Sequence, residues 1–199
     1  MALIKLSNNG VKNITSVGSI GTGDLVFISK QTASSSASIS FTSGIDSTYK
    51  EYVFMFKDIH SSGDSATFQF QCSTDGGSNY GVTLTSTFFG SYHAENDSAT
   101  GLVYETNSDL AQSTSFQPLT FNGNQDDESS AGILHLYNPS STTFVKHFIC
   151  NAVCNTYFDY LRNEYIAGYF NTTSAIDGIQ FKMSSGNIDS GDILLYGVN

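Results

Sequence analysis

Tryptophan is absent from this 199-residue chain, arginine occurs once, at Arg162, and there are two prolines, Pro118 and Pro139. Charge is scarce as well: 13% of residues are charged, against about 25% in an ordinary soluble domain. What charge there is leans acidic, 18 Asp and Glu against 8 Lys and Arg, for a formal net charge of -10. A duplex-binding surface needs clustered Lys and Arg to displace counterions from phosphates. No such cluster exists, so nucleic acid is not an expected partner, and an anionic membrane surface is disfavoured for the same reason. No apolar run approaches the roughly 20 residues of a spanning helix, so membrane insertion is not expected either. Met1 to Leu6 has Lys5 inside a very short apolar stretch, which leaves no secretory signal and points to synthesis in a cytoplasm.

Cysteine is sparse and odd in number: Cys72, Cys150 and Cys154. Residues four apart on a strand lie about 13 Å from each other, too far for Cys150 and Cys154 to bond without a bend. A zinc site would want a second close pair of ligands beyond His147 and Cys150. Buried thiols are the simpler expectation, and no metal or cofactor is called for.

Small uncharged polar residues fill the gap, with 30 Ser, 19 Thr and 15 Asn. Aromatics at 13% and hydrophobics at 39% supply enough apolar surface to offset chain entropy. That mixture suits strands with a wet polar face. It excludes a coiled coil and argues against a large helical domain.

Alternation of period two is cleanest from Ser65 to Ser73, where Phe68, Phe70 and Cys72 point one way and Thr67, Gln69 and Gln71 the other. Tyr80 to Phe88 repeats the scheme. Ser73-Thr74-Asp75-Gly76-Gly77-Ser78-Asn79 lies between, and Asp-Gly supplies the positive φ of a tight turn, so these two strands are expected to be hairpin partners. Further apolar runs, among them Tyr52 to Phe56, Gly132 to Tyr137, Phe144 to Val153, Tyr165 to Phe170, Ile176 to Met183 and Ile193 to Val198, read as strands. Tyr157 to Glu164 is short and uncapped and is expected to be a loop. Nine or ten strands with turn signals between them predict an all-β antiparallel β-sandwich of the jelly-roll type.

The expected organisation is an N-terminal arm over 1–23, then one sandwich over 24–199 with a long polar insertion at 90–130. Within the insertion Leu102 to Tyr104 and Ser115 to Phe121 are expected as edge strands. In the arm, Leu3, Ile4 and Leu6, then Val11 and Ile14, form apolar patches around Asn-Asn-Gly, ahead of a glycine-rich stretch. Such a segment packs no core of its own and is expected to dock on another chain as a virion anchor.

No catalytic constellation stands out. Four histidines in a serine-rich chain guarantee accidental triads, and there is no Gly-x-Ser-x-Gly elbow. His60 is expected to be solvated. Gly18-x-x-Gly21-x-Gly23 lacks the lysine and helix of a phosphate loop. Asp126-Asp127-Glu128 offers carboxylates to calcium without EF-hand spacing, so a solvated loop is preferred. A sugar site would need stacking aromatics, a role open to Tyr92, Tyr104 and Tyr157 in the absence of tryptophan. The expected outward contact surface is Tyr92, His93 and Tyr104 with Asp126, Asp127 and Glu128.

Two stretches resemble small β-sandwich proteins of tailed bacteriophages. Ser73-Thr74-Asp75-Gly76-Gly77-Ser78-Asn79-Tyr80 is similar to a turn common in them, and Ile176 to Val198, with its Ser-Ser-Gly-Asn and Ser-Gly-Asp turns, is similar to their C-terminal ending, read as a hairpin. Met-Ala-Leu-Ile-Lys-Leu-Ser-Asn-Asn-Gly-Val resembles the N-termini of fibre-type proteins of marine phages. The resemblance covers about 60 residues. It implies a virion component with a jelly-roll fold, and carries no catalytic or ligand residues.

Together these point to a non-enzymatic virion structural protein of fibre or spike type. Its expected partners are copies of itself, in a trimer as in phage fibres, other virion proteins of tail or capsid, and a host-surface glycan. A capsid decoration protein clipping neighbouring capsomers is the alternative, and a carbohydrate-binding or hydrolytic module the third.

Overall fold

The computed structural model describes residues 24–199, which fold into twelve strands with no helix among them. The anchoring residues Leu3, Ile4, Leu6, Val11 and Ile14 lie outside the described residues. In chain order the strands are β1 (Leu25–Ser36), β2 (Ile39–Phe41), β3 (Glu51–Ser61), β4 (Ala66–Ser73), β5 (Leu84–Ala94) and β6 (Thr100–Tyr104). Then follow β7 (Gln117–Asn122), β8 (Ser130–Tyr137), β9 (Lys146–Thr156), β10 (Tyr160–Phe170), β11 (Gly178–Met183) and β12 (Ile188–Val198).

They form an antiparallel sandwich of two sheets, an eight-stranded one ordered β1-β12-β3-β8-β9-β10-β5-β6 and a four-stranded one ordered β2-β11-β4-β7. The hairpins β5–β6 and β9–β10 extend the large sheet beyond β8. Without them each sheet has four strands, β1-β12-β3-β8 facing β2-β11-β4-β7. That order is compatible with the jelly roll expected from the sequence.

Alternation builds the core. In β9 the buried positions are Phe148, Cys150, Ala152 and Cys154, while His147, Ile149, Asn151 and Val153 are exposed. Phe181 on β11 lies at the centre: its ring meets Phe54 and Phe68 at 5.6 Å, Phe70 at 6.2 Å and Phe41 at 6.4 Å, so it touches both sheets. Aromatic burial on this scale is the main stabilising term available to a chain with so few charges.

Both expected hairpins are corrected. β4 pairs with β11 and β7 in the small sheet, whereas β5 pairs with β10 and β6 in the large one. The turn between them still behaves as its residues dictate: Gly76 and Gly77 have φ of 70° and 83°, and the Asp75 carboxylate accepts from the Asn79 backbone at 2.9 Å and its side chain at 2.6 Å. Gly76 N–H donates to Asp177 at 3.0 Å, which ties the turn to the entry of β11. The C-terminal pair corrects in the same way, since β11 and β12 lie in different sheets and Ser-Ser-Gly-Asn carries the chain across the sandwich.

The loop expected from Tyr157 to Glu164 is instead a tight turn followed by the first half of β10. The predicted insertion at 90–130 is part of the framework: it contains the end of β5 and all of β6 and β7. The last two are edge strands, as their short apolar runs suggested. His60 is not merely solvated. Its Nε2 donates to the Gln125 carbonyl at 3.0 Å and its Nδ1 lies 3.6 Å from Asp189.

Candidate functional site

Eight strands facing four leave an overhang. The small sheet stops at β7, so the inner faces of β10, β5 and β6 are not fully roofed. Alternation decides what points into the gap. Arg162 pairs with Tyr92 and Tyr92 with Gly101, Glu164 pairs with Gly90 and Gly90 with Val103, and all of these share the inner face. The result is a cleft of about 340 Å³ walled by Tyr92, Phe121, Tyr157, Phe158 and Tyr160, with Glu105 and Arg162 in its lining.

Glycine shapes the wall. A Cβ at Gly101 would lie 2.9 Å from the Tyr92 hydroxyl, so only a residue without a side chain lets that ring lie across β6. Tyr92 and Tyr160 stack with centroids 5.6 Å apart and an interplanar angle of 10°. At the mouth, Tyr157 and Phe158 approach to 4.1 Å, and Phe158 is 64% exposed.

The only arginine organises the base. Its guanidinium sits 4.6 Å above the Phe121 ring, pairs with Glu105, and brings Nε to 2.5 Å from Glu164 Oε1. Glu164 is fully buried, and its two carboxylate oxygens have no hydrogen-bond partner because the Arg162 approach is poorly aligned. Burial outweighs the arginine and pushes the Glu164 carboxyl up to about 7. With both glutamates ionised, one guanidinium faces two carboxylates.

The six residues of the expected contact surface do not form one patch. Tyr92 lines the cleft, whereas His93, its chain neighbour, points to the opposite face and pairs with Asp97 at 3.0 Å. Tyr104 lies on that outer face too, in register with Phe89 and Tyr165. Asp126 and Asp127 are exposed in the β7–β8 turn. Glu128 is corrected: it is 1% exposed, and its carboxylate accepts from the Gln125 backbone at 2.8 Å, organising the turn from inside. Of the three tyrosines suited to sugar stacking, Tyr92 and Tyr157 meet in the cleft and Tyr104 does not. Arg162, Glu164, Phe158 and Tyr160 were missed, although a lone arginine inside Tyr-Phe-Asp-Tyr-Leu-Arg-Asn-Glu-Tyr is a signal that alternation could have used.

Elsewhere three of the four histidines are occupied structurally. His135 meets Glu51 at 2.6 Å, and the bonds of His60, His93 and His135 run to carboxylates or a carbonyl. All three thiols are free and buried. Burial raises Cys72 and Cys150 strongly and pushes Cys154 up to about 12, so none is a ready nucleophile. Among the described residues no three His, Cys, Asp or Glu side chains gather as a metal site. Neither a family model, a curated protein nor a solved structure matches this chain.

Proposed function

We propose that this chain is a non-enzymatic virion structural protein of a tailed bacteriophage, a fibre- or spike-type appendage that assembles with copies of itself. One observation carries the self-association: from β8 to β6 the outer face of the large sheet carries a band of exposed apolar side chains. From β8 through β6, no outward position is Asp, Glu, Lys or Arg. Ile133, Ile149, Tyr165, Phe89 and Leu102 are between 38% and 87% exposed there. Phe89 stacks on Tyr165 at 5.3 Å, which makes a firm ridge, and a hollow of about 390 Å³ lies between His147, Ile149 and Tyr169.

Five strands about 4.8 Å apart and roughly 30 Å long give a face of about 700 Å², close to the ~800 Å² each partner contributes to a standard interface. The carboxylates that reach this face, Glu51, Glu95, Asp97 and Asp109, come from neighbouring strands and turns and are held by His135, Asn155, His93 and Tyr104, which leaves an apolar centre that favours a second copy. The virion setting, the trimer and the anchoring role of residues 1–23 rest on the resemblance to phage proteins.

Light scattering of the full chain is expected to give an oligomer, a trimer by the fibre reading, and Ile149→Glu with Tyr165→Glu a folded monomer. A wild-type monomer throughout the micromolar range would remove the interface. Deleting residues 1–20 is expected to abolish incorporation into particles while leaving the sandwich folded. Labelling found only on the head shell would turn the appendage into a decoration protein.

A further inference from the structure

We infer that the cleft beneath the overhang is a saccharide-binding site, taking a neutral hexose or N-acetylhexosamine unit of a surface glycan against Tyr157, Phe158 and Tyr160. It names the chemical class of the outward contact and rests on the appendage reading for its setting only. Its chemistry comes from the cleft alone.

A pyranose ring has one apolar C–H face and a rim of hydroxyls. Its host must offer an aromatic face and, in the same hollow, strong acceptors and donors. Tyr157, Phe158 and Tyr160 provide the first, with Phe158 left 64% exposed at the mouth. Glu105 provides a carboxylate acceptor and Arg162 the donors. A guanidinium carries five N–H groups, and the pairings with Glu105 and Glu164 do not consume them all. The volume of about 340 Å³ lies at the small end of ligand pockets, fitting a sugar unit better than an extended peptide.

Other ligand classes fit worse. An anionic ligand would meet the Glu105 carboxylate and a guanidinium already paired with Glu105 and Glu164, on a chain of net charge -10. A wholly apolar ligand would strip water from Glu105 and Arg162 without replacing its hydrogen bonds. A neutral polyol with one apolar face avoids both costs.

The site is also held in place before any ligand arrives. Arg162 is fixed between Phe121 and its two carboxylates. The β9–β10 turn bearing Tyr157 and Phe158 is tied to the β5–β6 turn, where Glu95 N–H donates to the Asp159 carbonyl at 2.9 Å and Asn155 Nδ2 to Glu95 Oε1 at 3.0 Å. Little ordering entropy is then lost on binding. Because the cleft is on the inner face of β5 and β10, assembly through their outer face leaves it open.

Saturation-transfer NMR of the full chain with methyl glycosides of glucose, galactose and N-acetylglucosamine, and with sialyllactose as the anionic comparison, tests this. Millimolar binding of at least one neutral glycoside is expected, weakened about tenfold or more by Tyr157→Ala with Phe158→Ala. Glu105→Gln should also weaken it, and Tyr165→Ala on the outer face should not. Absence of transfer to every neutral probe, preference for the sialylated one, or unchanged affinity in the Tyr157/Phe158 variant would each overturn the assignment. Oligomeric state is read on the same samples. A monomer that binds sugar contradicts the assembly interface alone, and an oligomer that does not bind contradicts the cleft alone.

Discussion

Phe181→Ala is expected to lower the unfolding free energy by about 3–5 kcal/mol, the largest loss from any single truncation in this chain. The ring is fully buried and meets four others, Phe41, Phe54, Phe68 and Phe70. Phe54 belongs to the large sheet and the others to the small one, so the void would open where the two sheets meet. Its walls are hydrogen-bonded strands, which cannot move inward to close it without giving up register. Guanidinium titration at fixed protein concentration measures this as a lower midpoint with an unchanged slope. Phe158→Ala is the comparison. That ring is largely exposed, and its removal should cost within about 0.5 kcal/mol. Equal losses in the two variants would mean that the aromatic cluster is not the keystone of the sandwich.

The strands were legible because alternation is a local property. Phe68, Phe70 and Cys72 face inward as their spacing required, and all three cysteines lie buried on strands. The short edge strands β6 and β7 were visible for the same reason. What the sequence could not convey was which sheet receives the next strand. Asp75-Gly76-Gly77 specifies positive φ, and that geometry is present. A reversal of direction serves equally for a hairpin and for a crossing between sheets, and here the decision is made by Asp177 and the entry of β11, about a hundred positions away. Ser184 to Asn187 posed the same ambiguity.

The cleft was half legible. Composition marks Tyr92 and Tyr157 as stacking residues, but a contact surface joining Tyr92 to His93 ignores that successive residues on a strand face opposite ways. The first half of β10 was hidden because Arg162 and Glu164 point inward and Leu161 and Tyr165 outward. That inverts the usual polarity of a half-buried strand, and the pairing of Arg162 with Glu105 and Glu164 over the Phe121 ring permits it. Asp126-Asp127-Glu128 reads as a solvated acidic run, because nothing in Asp-Asp-Glu says which member folds back onto the Gln125 backbone.

Glu164→Gln is expected to make the protein more stable at pH 8 and to leave it nearly unchanged at pH 4. The carboxyl is held at about 7 when folded and has a reference value of 4.5. Between these values the native state keeps a proton that the unfolded chain has released, so stability falls as pH rises through the interval. The gap amounts to on the order of 3 kcal/mol by pH 8. Glutamine mimics the protonated acid in shape and hydrogen-bonding capacity and cannot ionise, so the variant lacks this loss. Arg162 keeps its pairing with Glu105 and its seat over Phe121, so the substitution strands no cation. The depressed acids titrate elsewhere: Asp75, held at about 2 by hydrogen bonds from Asn79 and Ser73, is ionised across the whole window in both proteins. The difference between wild type and variant therefore isolates Glu164. Thermal midpoints from pH 4 to 8 should converge at the acid end, separate between about pH 5 and 7, and hold a nearly constant gap above that. Parallel curves would show that Glu164 is solvated when charged, which the closely overlying Gly90 backbone and the fully buried side chain argue against.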